Sequence, residues 1–318
     1  MAQGAERPRA VFFGSPPFAV GCLRAVAAAT ELVAVVSQPD RPAGRGQAPT
    51  PPAVKVAAEA LGVPVLQPEK LRTPETQAAL AALNADLFVV VAYGRILPQA
   101  ILDLPRRGCW NVHASLLPKL RGAAPIQWAV IRGDRETGVA IMRMEAGLDT
   151  GPVVAVRACP IGDDDTAGTM FEKLAVLGAG LLADTLPAIV EGRAVLAPQD
   201  DAAATLAPPL TKADGRLDFA RPARLVSAQA RGVDPWPGAT AALDGEPLRL
   251  FRPRVVAEAG ARAPAGEVLA VGPQGLEVAC GEGAIAFAEL QLPGRKRLPA
   301  AAVVAGRPIP PGTQLGGA

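Results

Sequence analysis

The 318-residue sequence is poor in the side chains that usually carry chemistry: it holds one histidine, one tyrosine and four cysteines, and aromatics make up only 4% of it. The cysteines, Cys22, Cys109, Cys159 and Cys280, are scattered with no C-x-x-C pair, so no disulfide framework is expected and a reducing, cytoplasmic setting fits. The same scarcity leaves no set of close-spaced Cys and His ligands, and we expect no metal. No uncharged run approaches the roughly 18 apolar residues of a membrane span, and the first residues lack the apolar stretch of a signal peptide. The expectation is a soluble, unexported protein without a membrane partner. Two common motifs are also missing. The first apolar run leads into Gly14-Ser15-Pro16-Pro17 in place of a G-x-G-x-x-G, and two prolines remove the N–H groups a pyrophosphate would need. No G-x-S-x-G occurs either, which excludes a serine-hydrolase elbow.

Half of the residues are hydrophobic, so Ala, Val and Leu must fill the cores that aromatics cannot. The net charge of +2 is unevenly spread, because residues 215–318 hold 12 Lys/Arg against 9 Asp/Glu and the rest 20 against 21. That permits a nucleic-acid partner without demanding one.

Apolar runs at Arg9 to Phe13 and Leu32 to Ser37, separated by a helical stretch from Phe18 to Ala29, read as a β-α-β unit. Helices around Val54 to Leu61 and Glu75 to Leu83 follow, with a short strand at Val63 to Leu66. The unbroken Leu87-Phe88-Val89-Val90-Val91 suits a strand covered on both faces. A strand ending near His113, a helix near Ile126 to Arg132, an apolar run at Val139 to Met144 and a long helix from Thr166 to Glu191 complete the pattern of an α/β, doubly wound, mostly parallel sheet. We place this domain at residues 1–192. Residues 193–213, rich in Pro and Ala without periodicity, read as a linker. Residues 214–318 open with a helix at Pro222 to Arg231. Short apolar runs with turn signals between them follow, and they suggest a small OB-like β-barrel.

His113 lies in Cys109-Trp110-Asn111-Val112-His113-Ala114-Ser115, where an amide, the imidazole and a hydroxyl alternate at the period of a strand and share one face. It is the only side chain here suited to proton transfer near neutral pH. Asp149, in Gly147-Leu148-Asp149-Thr150-Gly151, reads as a carboxylate following a strand. Ligands of open α/β sheets bind beyond the carboxyl ends of strands, and Tyr93-Gly94, Asn111/His113 and Asp149 are expected to converge there.

The run Asn111-Val112-His113-x-Ser115-Leu116-Leu117-Pro118-x-x-Arg121-Gly122-x-x-Pro125, with Val91-Ala92-Tyr93-Gly94 and Gly147 to Gly151, resembles the 10-formyltetrahydrofolate-dependent formyltransferase superfamily. Gln38 to Gly46, Pro52-x-Val54-Lys55, Asp165 to Thr169 and Pro235-Trp236-Pro237 narrow the resemblance to the methionyl-tRNA formyltransferases, over essentially the whole chain. The resemblance implies transfer of formyl from 10-formyltetrahydrofolate to the α-amine of methionyl-initiator tRNA, with folate as co-substrate and no metal. Asn111 would donate to the oxyanion, and His113 would stabilise it or accept the amine's proton. Asp149 would orient His113 and favour its charged form. Tyr93, Gly94 and Ser115, Leu116, Leu117, Pro118 would border the folate. Arg41 and Arg45, in the loop Pro39 to Pro51, would meet the tRNA, as would the C-terminal barrel. A monomer is expected.

A formyltransferase acting on a small amine, such as glycinamide ribonucleotide or an amino-sugar nucleotide, would share Asn111, His113 and Asp149. It would need neither the arginine loop nor a C-terminal domain of this size. A non-catalytic tRNA- or folate-binding module would keep those two features but would not need a carboxylate beside His113.

Overall fold

In this computed structural model residues 7–43, 48–260 and 263–316 are described. The chain forms two units. One comprises Met1–Ala123, Thr137–Cys159 and Phe171–Ala207, the other Ala124–Glu136, Pro160–Met170 and Pro208–Ala318.

The first unit is built on strands too apolar to face water. β1 (Arg9–Gly14) is followed by α1 (Val20–Ala29), β2 (Glu31–Val36), the short strands β3 (Arg41–Ala43) and β4 (Ala48–Thr50), α2 (Ala53–Ala60), β5 (Val65–Leu66), α3 (Pro74–Ala81), β6 (Leu87–Val91), α4 (Gln99–Leu102) and β7 (Cys109–His113). After α5 (Pro125–Arg132), which belongs to the second unit, come β8 (Glu136–Arg143), β9 (Val153–Pro160) and the long α6 (Ala167–Val190). The sheet order is β5-β2-β1-β6-β7-β8-β9. The pairs from β5 through β7 are parallel, as expected, whereas β8 runs antiparallel to β7. All five residues of β6 are buried, the condition for a strand covered on both faces. On α6, Leu174, Leu181, Leu182, Leu186 and Ile189 recur at helical spacing and are buried, which gives the helix one apolar face. By length and composition α6 could also cross a membrane.

The loop Pro39 to Pro51 contains more structure than its sequence announces. β3 and β4 form an antiparallel ribbon in which Pro42 faces Pro49. Neither residue has an N–H, so the two occupy a pair that exchanges no hydrogen bonds. At the base of the ribbon Lys55 Nζ donates to both oxygens of Asp40, at 3.0 and 2.9 Å, and to Gln67 Oε1 at 3.0 Å. Hydrogen bonds from Gln67 and Lys55 hold the Asp40 carboxyl below its usual range.

Asp86 joins the start of β6 to β1: its Oδ2 accepts from the Arg9 amide at 2.8 Å, and Arg106 pairs with Oδ1. Burial alone pushes its carboxyl up. The Arg9 amide, the Arg106 guanidinium and the charges of Arg106 and Arg107 outweigh burial and hold it below the usual carboxylate range. A depressed carboxylate stabilises the fold above its unfolded value of about 3.9, and that contribution is lost as pH falls through the folded value. Asp86→Asn is therefore expected to cost ~1–3 kcal/mol at neutral pH. Urea unfolding of both proteins at pH 7 and pH 3 checks this, since the difference must shrink in acid. A difference that is constant with pH contradicts the charge argument.

In the second unit, α7 (Ala223–Gly232) packs on α5 and on β11. An antiparallel sheet has the order β10 (Thr240–Leu243), β11 (Glu246–Ala257), β14 (Ala284–Gln291), β13 (Gly275–Ala279), β12 (Val268–Gly272), with β15 (Leu298–Pro299) on β14 and a last helix, α8 (Ala300–Gly306). Leu248, Leu250, Val268, Leu276, Val278, Ile285, Phe287 and Leu290 fill its core. β11 changes register between Val255 and Ala257, and Arg252 has a φ of 52°. Such irregularities bend a long strand and let a small sheet curl, which fits the barrel-like domain expected from the sequence. β10, β15 and α8 lie outside the apolar runs recognised in the sequence.

Candidate active site

The alternation read in the sequence places Asn111 and His113 on one face of β7. His113 is buried, 5% exposed, and its two ring nitrogens have different surroundings. Nε2 lies 2.9 Å from the Leu120 carbonyl oxygen. A carbonyl only accepts, so in the neutral ring Nε2 carries the hydrogen and Nδ1 keeps the free lone pair. Nδ1 faces Asp149 Oδ2 at 3.6 Å, close enough for charge to act but too long for a hydrogen bond. Asp149 Oδ1 accepts from Asn111 Nδ2 at 3.4 Å and Oδ2 from the Gly122 amide at 2.8 Å. Amide, imidazole and carboxylate thus meet, and among the described residues the second hydrogen of Asn111 Nδ2 meets no other acceptor.

The route by which Asp149 arrives corrects the expectation that it lies beyond the carboxyl end of a parallel strand. Arg143, the last residue of β8, stands opposite Trp110 at the beginning of β7. Residues 144–152 carry the carboxylate back to Asn111 and His113. Asp149 there adopts a φ of 52°, and Leu120, whose carbonyl holds His113, a φ of 60°. Both lie in the left-handed region, which non-glycine residues rarely adopt. Gly122 has a φ of 120°, and a Cβ there would stand 2.7 Å from the Ala207 carbonyl oxygen, so only glycine brings its amide to the carboxylate.

The other candidates have varied surroundings. Ser115 is fully buried and its hydroxyl donates to the Lys119 carbonyl at 2.6 Å, closing the turn after β7. Leu116, Leu117 and Pro118 are half-buried and form an apolar run beside that turn. The ring of Tyr93 is 2% exposed and packs edge-on against Phe13, with centroids 5.5 Å apart. What Tyr93 offers at the strand end is its carbonyl, which accepts from Gln38 Nε2 at 3.0 Å. Gly94 is exposed with a φ of 80°. Arg41 is exposed on β3, and Arg45 lies outside the described residues.

Sequence reasoning gave no role to Arg121, which it named only as part of the motif, and missed Gln199 and Thr205. Arg121, 6% exposed, donates through Nε and Nη2 to Gln199 Oε1 at 3.1 and 2.9 Å. Gln199 Nε2 donates to the carbonyls of Asp149 and Gly151 at 2.8 and 2.7 Å, and Thr205 Oγ1 accepts from the Leu120 amide at 2.9 Å. Gln199 and Thr205 come from a segment without periodicity, and no local signal marks them. The buried thiols of Cys22, Cys109 and Cys280 are pushed up to about 12 by burial, which makes them poor nucleophiles. Among the described residues no group of three or more His, Cys, Asp or Glu could hold a metal ion.

Residues 9–186 match the family model described as Formyl transferase, and residues 209–308 match that described as Formyl transferase, C-terminal domain. The chain therefore falls in the class of formyl transferases. A methionyl-tRNA formyltransferase from Citrifermentans bemidjiense is 50% identical over 309 residues, covering 97% of this chain and 96% of that protein. The chain belongs to the methionyl-tRNA formyltransferase family. More distant solved structures share the fold. An N-formyltransferase from Helicobacter canadensis in complex with folinic acid and dTDP-3-aminofucose has a TM-score of 0.65 at 15% identity, covering 88% of this chain and 99% of that one. HypX from Aquifex aeolicus in complex with tetrahydrofolic acid has a TM-score of 0.60 at 17% identity, and the match covers 94% of this chain but 47% of that one.

Proposed function

We propose that this protein transfers the formyl group of 10-formyltetrahydrofolate to the α-amine of methionyl-initiator tRNA, giving the N-formylmethionyl-tRNA that starts translation. The observation that carries this reading is the 50% identity to a methionyl-tRNA formyltransferase over almost all of both chains. The small-amine alternative is supported by likeness of fold to solved sugar N-formyltransferase structures at 14 to 21% identity. The protein acts as a cytoplasmic monomer and needs no membrane.

In the reaction the amine nitrogen attacks the formyl carbon, and negative charge collects on the formyl oxygen. The free hydrogen of Asn111 Nδ2 is donated to that oxyanion, where a preorganised donor acts most strongly. The amine loses a proton as the new C–N bond forms, and His113 Nδ1, the nitrogen with the open lone pair, accepts it. Asp149 stabilises the resulting imidazolium and fixes the ring together with Leu120. The proton leaves with N10 of the folate as the old C–N bond breaks. Leu116, Leu117 and Pro118 supply an apolar border for the folate, with Ser115 holding their turn and the Tyr93-Gly94 backbone bordering it at the end of β6.

The tRNA meets Arg41 on β3, Arg45 and the C-terminal domain. The second unit, which includes that domain, carries two clefts of about 910 and 690 Å³. Arg132, Arg135, Arg224, Arg231 and Arg254 line the first beside four carboxylates, and Arg231, Arg252, Arg254 and Arg297 line the second beside Asp164 and Asp234, so the second is the more basic. Guanidinium groups of this kind suit phosphate.

Incubation with 10-formyltetrahydrofolate and charged initiator tRNA is expected to give formylmethionyl-tRNA, with glycinamide ribonucleotide and an amino-sugar nucleotide left unreacted. Formylation of a small amine in preference to the tRNA overturns the assignment. Arg41→Ala and Arg45→Ala are each expected to raise KM for tRNA, to leave KM for folate unchanged and to lower the slope of log affinity against log salt by about one. Unchanged tRNA kinetics at low and moderate salt would remove the ribbon from recognition.

A further inference from the structure

We propose that residues 199–205 form a positioning strap for the reacting groups, in which Gln199 and Thr205 hold the backbone of the two residues that face His113 from opposite sides of its ring. The inference rests on the roles given above to His113 and Asp149 and goes beyond them, because the strap residues act on the backbone of Leu120 and Asp149 and not on the imidazole itself.

Three observations carry it. The two partners of the imidazole, Leu120 at Nε2 and Asp149 at Nδ1, are both non-glycine residues with left-handed backbones, at φ 60° and 52°. A residue keeps such a conformation only when its surroundings impose it. At each of them the strap supplies a hydrogen bond: Thr205 Oγ1 accepts the Leu120 amide at 2.9 Å, and Gln199 Nε2 donates to the Asp149 carbonyl at 2.8 Å and to Gly151 at 2.7 Å. The Gln199 amide can point only one way, since its oxygen receives Nε and Nη2 of Arg121 and its nitrogen faces two carbonyls. Arg121 is in turn held by Asp201 Oδ1 at 2.8 Å. Backbone pairing continues the attachment, with Arg121 N donating to Thr205 O at 2.8 Å and Ala207 N to Arg121 O at 2.7 Å. The strap thus sets where the His113 hydrogen points and where the Asp149 carboxylate stands. Residues that hold a reacting group in register act on the rate far more than on binding.

A double-mutant cycle tests this, run on whichever amine the wild-type protein formylates, so that an error in the assigned acceptor does not touch the result. Gln199→Ala is expected to lower kcat about ten- to hundredfold, with KM for 10-formyltetrahydrofolate within about twofold. In the Asp149→Asn background the same substitution is expected to cost nothing further, because Gln199 acts through Asp149. Thr205→Val is expected to lower kcat in the same manner, and Thr205→Ser, which keeps the hydroxyl, to restore it. Equal factors for Gln199→Ala in both backgrounds, or Thr205→Ser no better than Thr205→Val, overturns the strap and leaves the segment a purely structural one.

Discussion

His113→Ala is expected to lower kcat for formyl transfer by about two to four powers of ten, the range that a positioned acid–base group supplies, while the protein stays folded. The ring is buried, but its one close hydrogen-bond contact is with the Leu120 carbonyl, so its removal leaves few polar groups unpaired. No other imidazole exists in the chain, and the three most buried thiols are held protonated. No second imidazole and none of these thiols can therefore assume the proton transfer. Asn111→Ala is expected to cost a similar factor through loss of the oxyanion donor. Single-turnover kinetics with charged tRNA separate chemistry from binding. Near-wild-type turnover by the variant without His113 would falsify the assignment.

Asp149→Asn is expected to lower kcat at least about a hundredfold, on the scale of losing a preorganised electrostatic group, although the side chains have almost the same shape. Both carboxylate oxygens now accept, Oδ1 from Asn111 and Oδ2 from the Gly122 amide, and Oδ2 also faces His113. An amide at this position has one oxygen and one NH₂, so in either orientation it sets a donor against a donor. It also lacks the charge that balances the imidazolium formed during transfer. The circular dichroism spectrum should be unchanged and the rate low. A variant with kcat within about threefold of wild type would show that the carboxylate plays no part in the chemistry.

Asn111 and His113 were legible because a strand's period of two is written in the residues themselves. Asp149 was legible as a carboxylate near the site, but its path was not. The run Val139 to Met144 reads the same whichever way its neighbour runs, and only the pairing of Trp110 with Arg143 makes β8 antiparallel. β9 was not recognised although it opens with the apolar run Val153-Val154-Ala155-Val156; Arg157 cuts that run short, and the strand's residues are half-buried or exposed. β3 and β4 escaped because their prolines read as loop, yet two facing prolines fit a pair without hydrogen bonds. Tyr93 reads as a strand-end residue pointing to ligand, but its ring completes the packing around Phe13.

The alternation of strands and helices, the amide and imidazole on one face of β7 and the likeness to formyltransferases can all be read from the residues in order, because local periodicity and short motifs are properties of consecutive residues. The return of the Asp149 loop to His113, the presentation of Nδ1 by the imidazole, and the hold of Gln199 and Thr205, 86 and 92 positions beyond His113, on its two partners all come from the tertiary fold. Those contacts join segments far apart in the chain through single hydrogen bonds to backbone groups, and a backbone carbonyl or amide carries no mark in the sequence of the side chain that will find it.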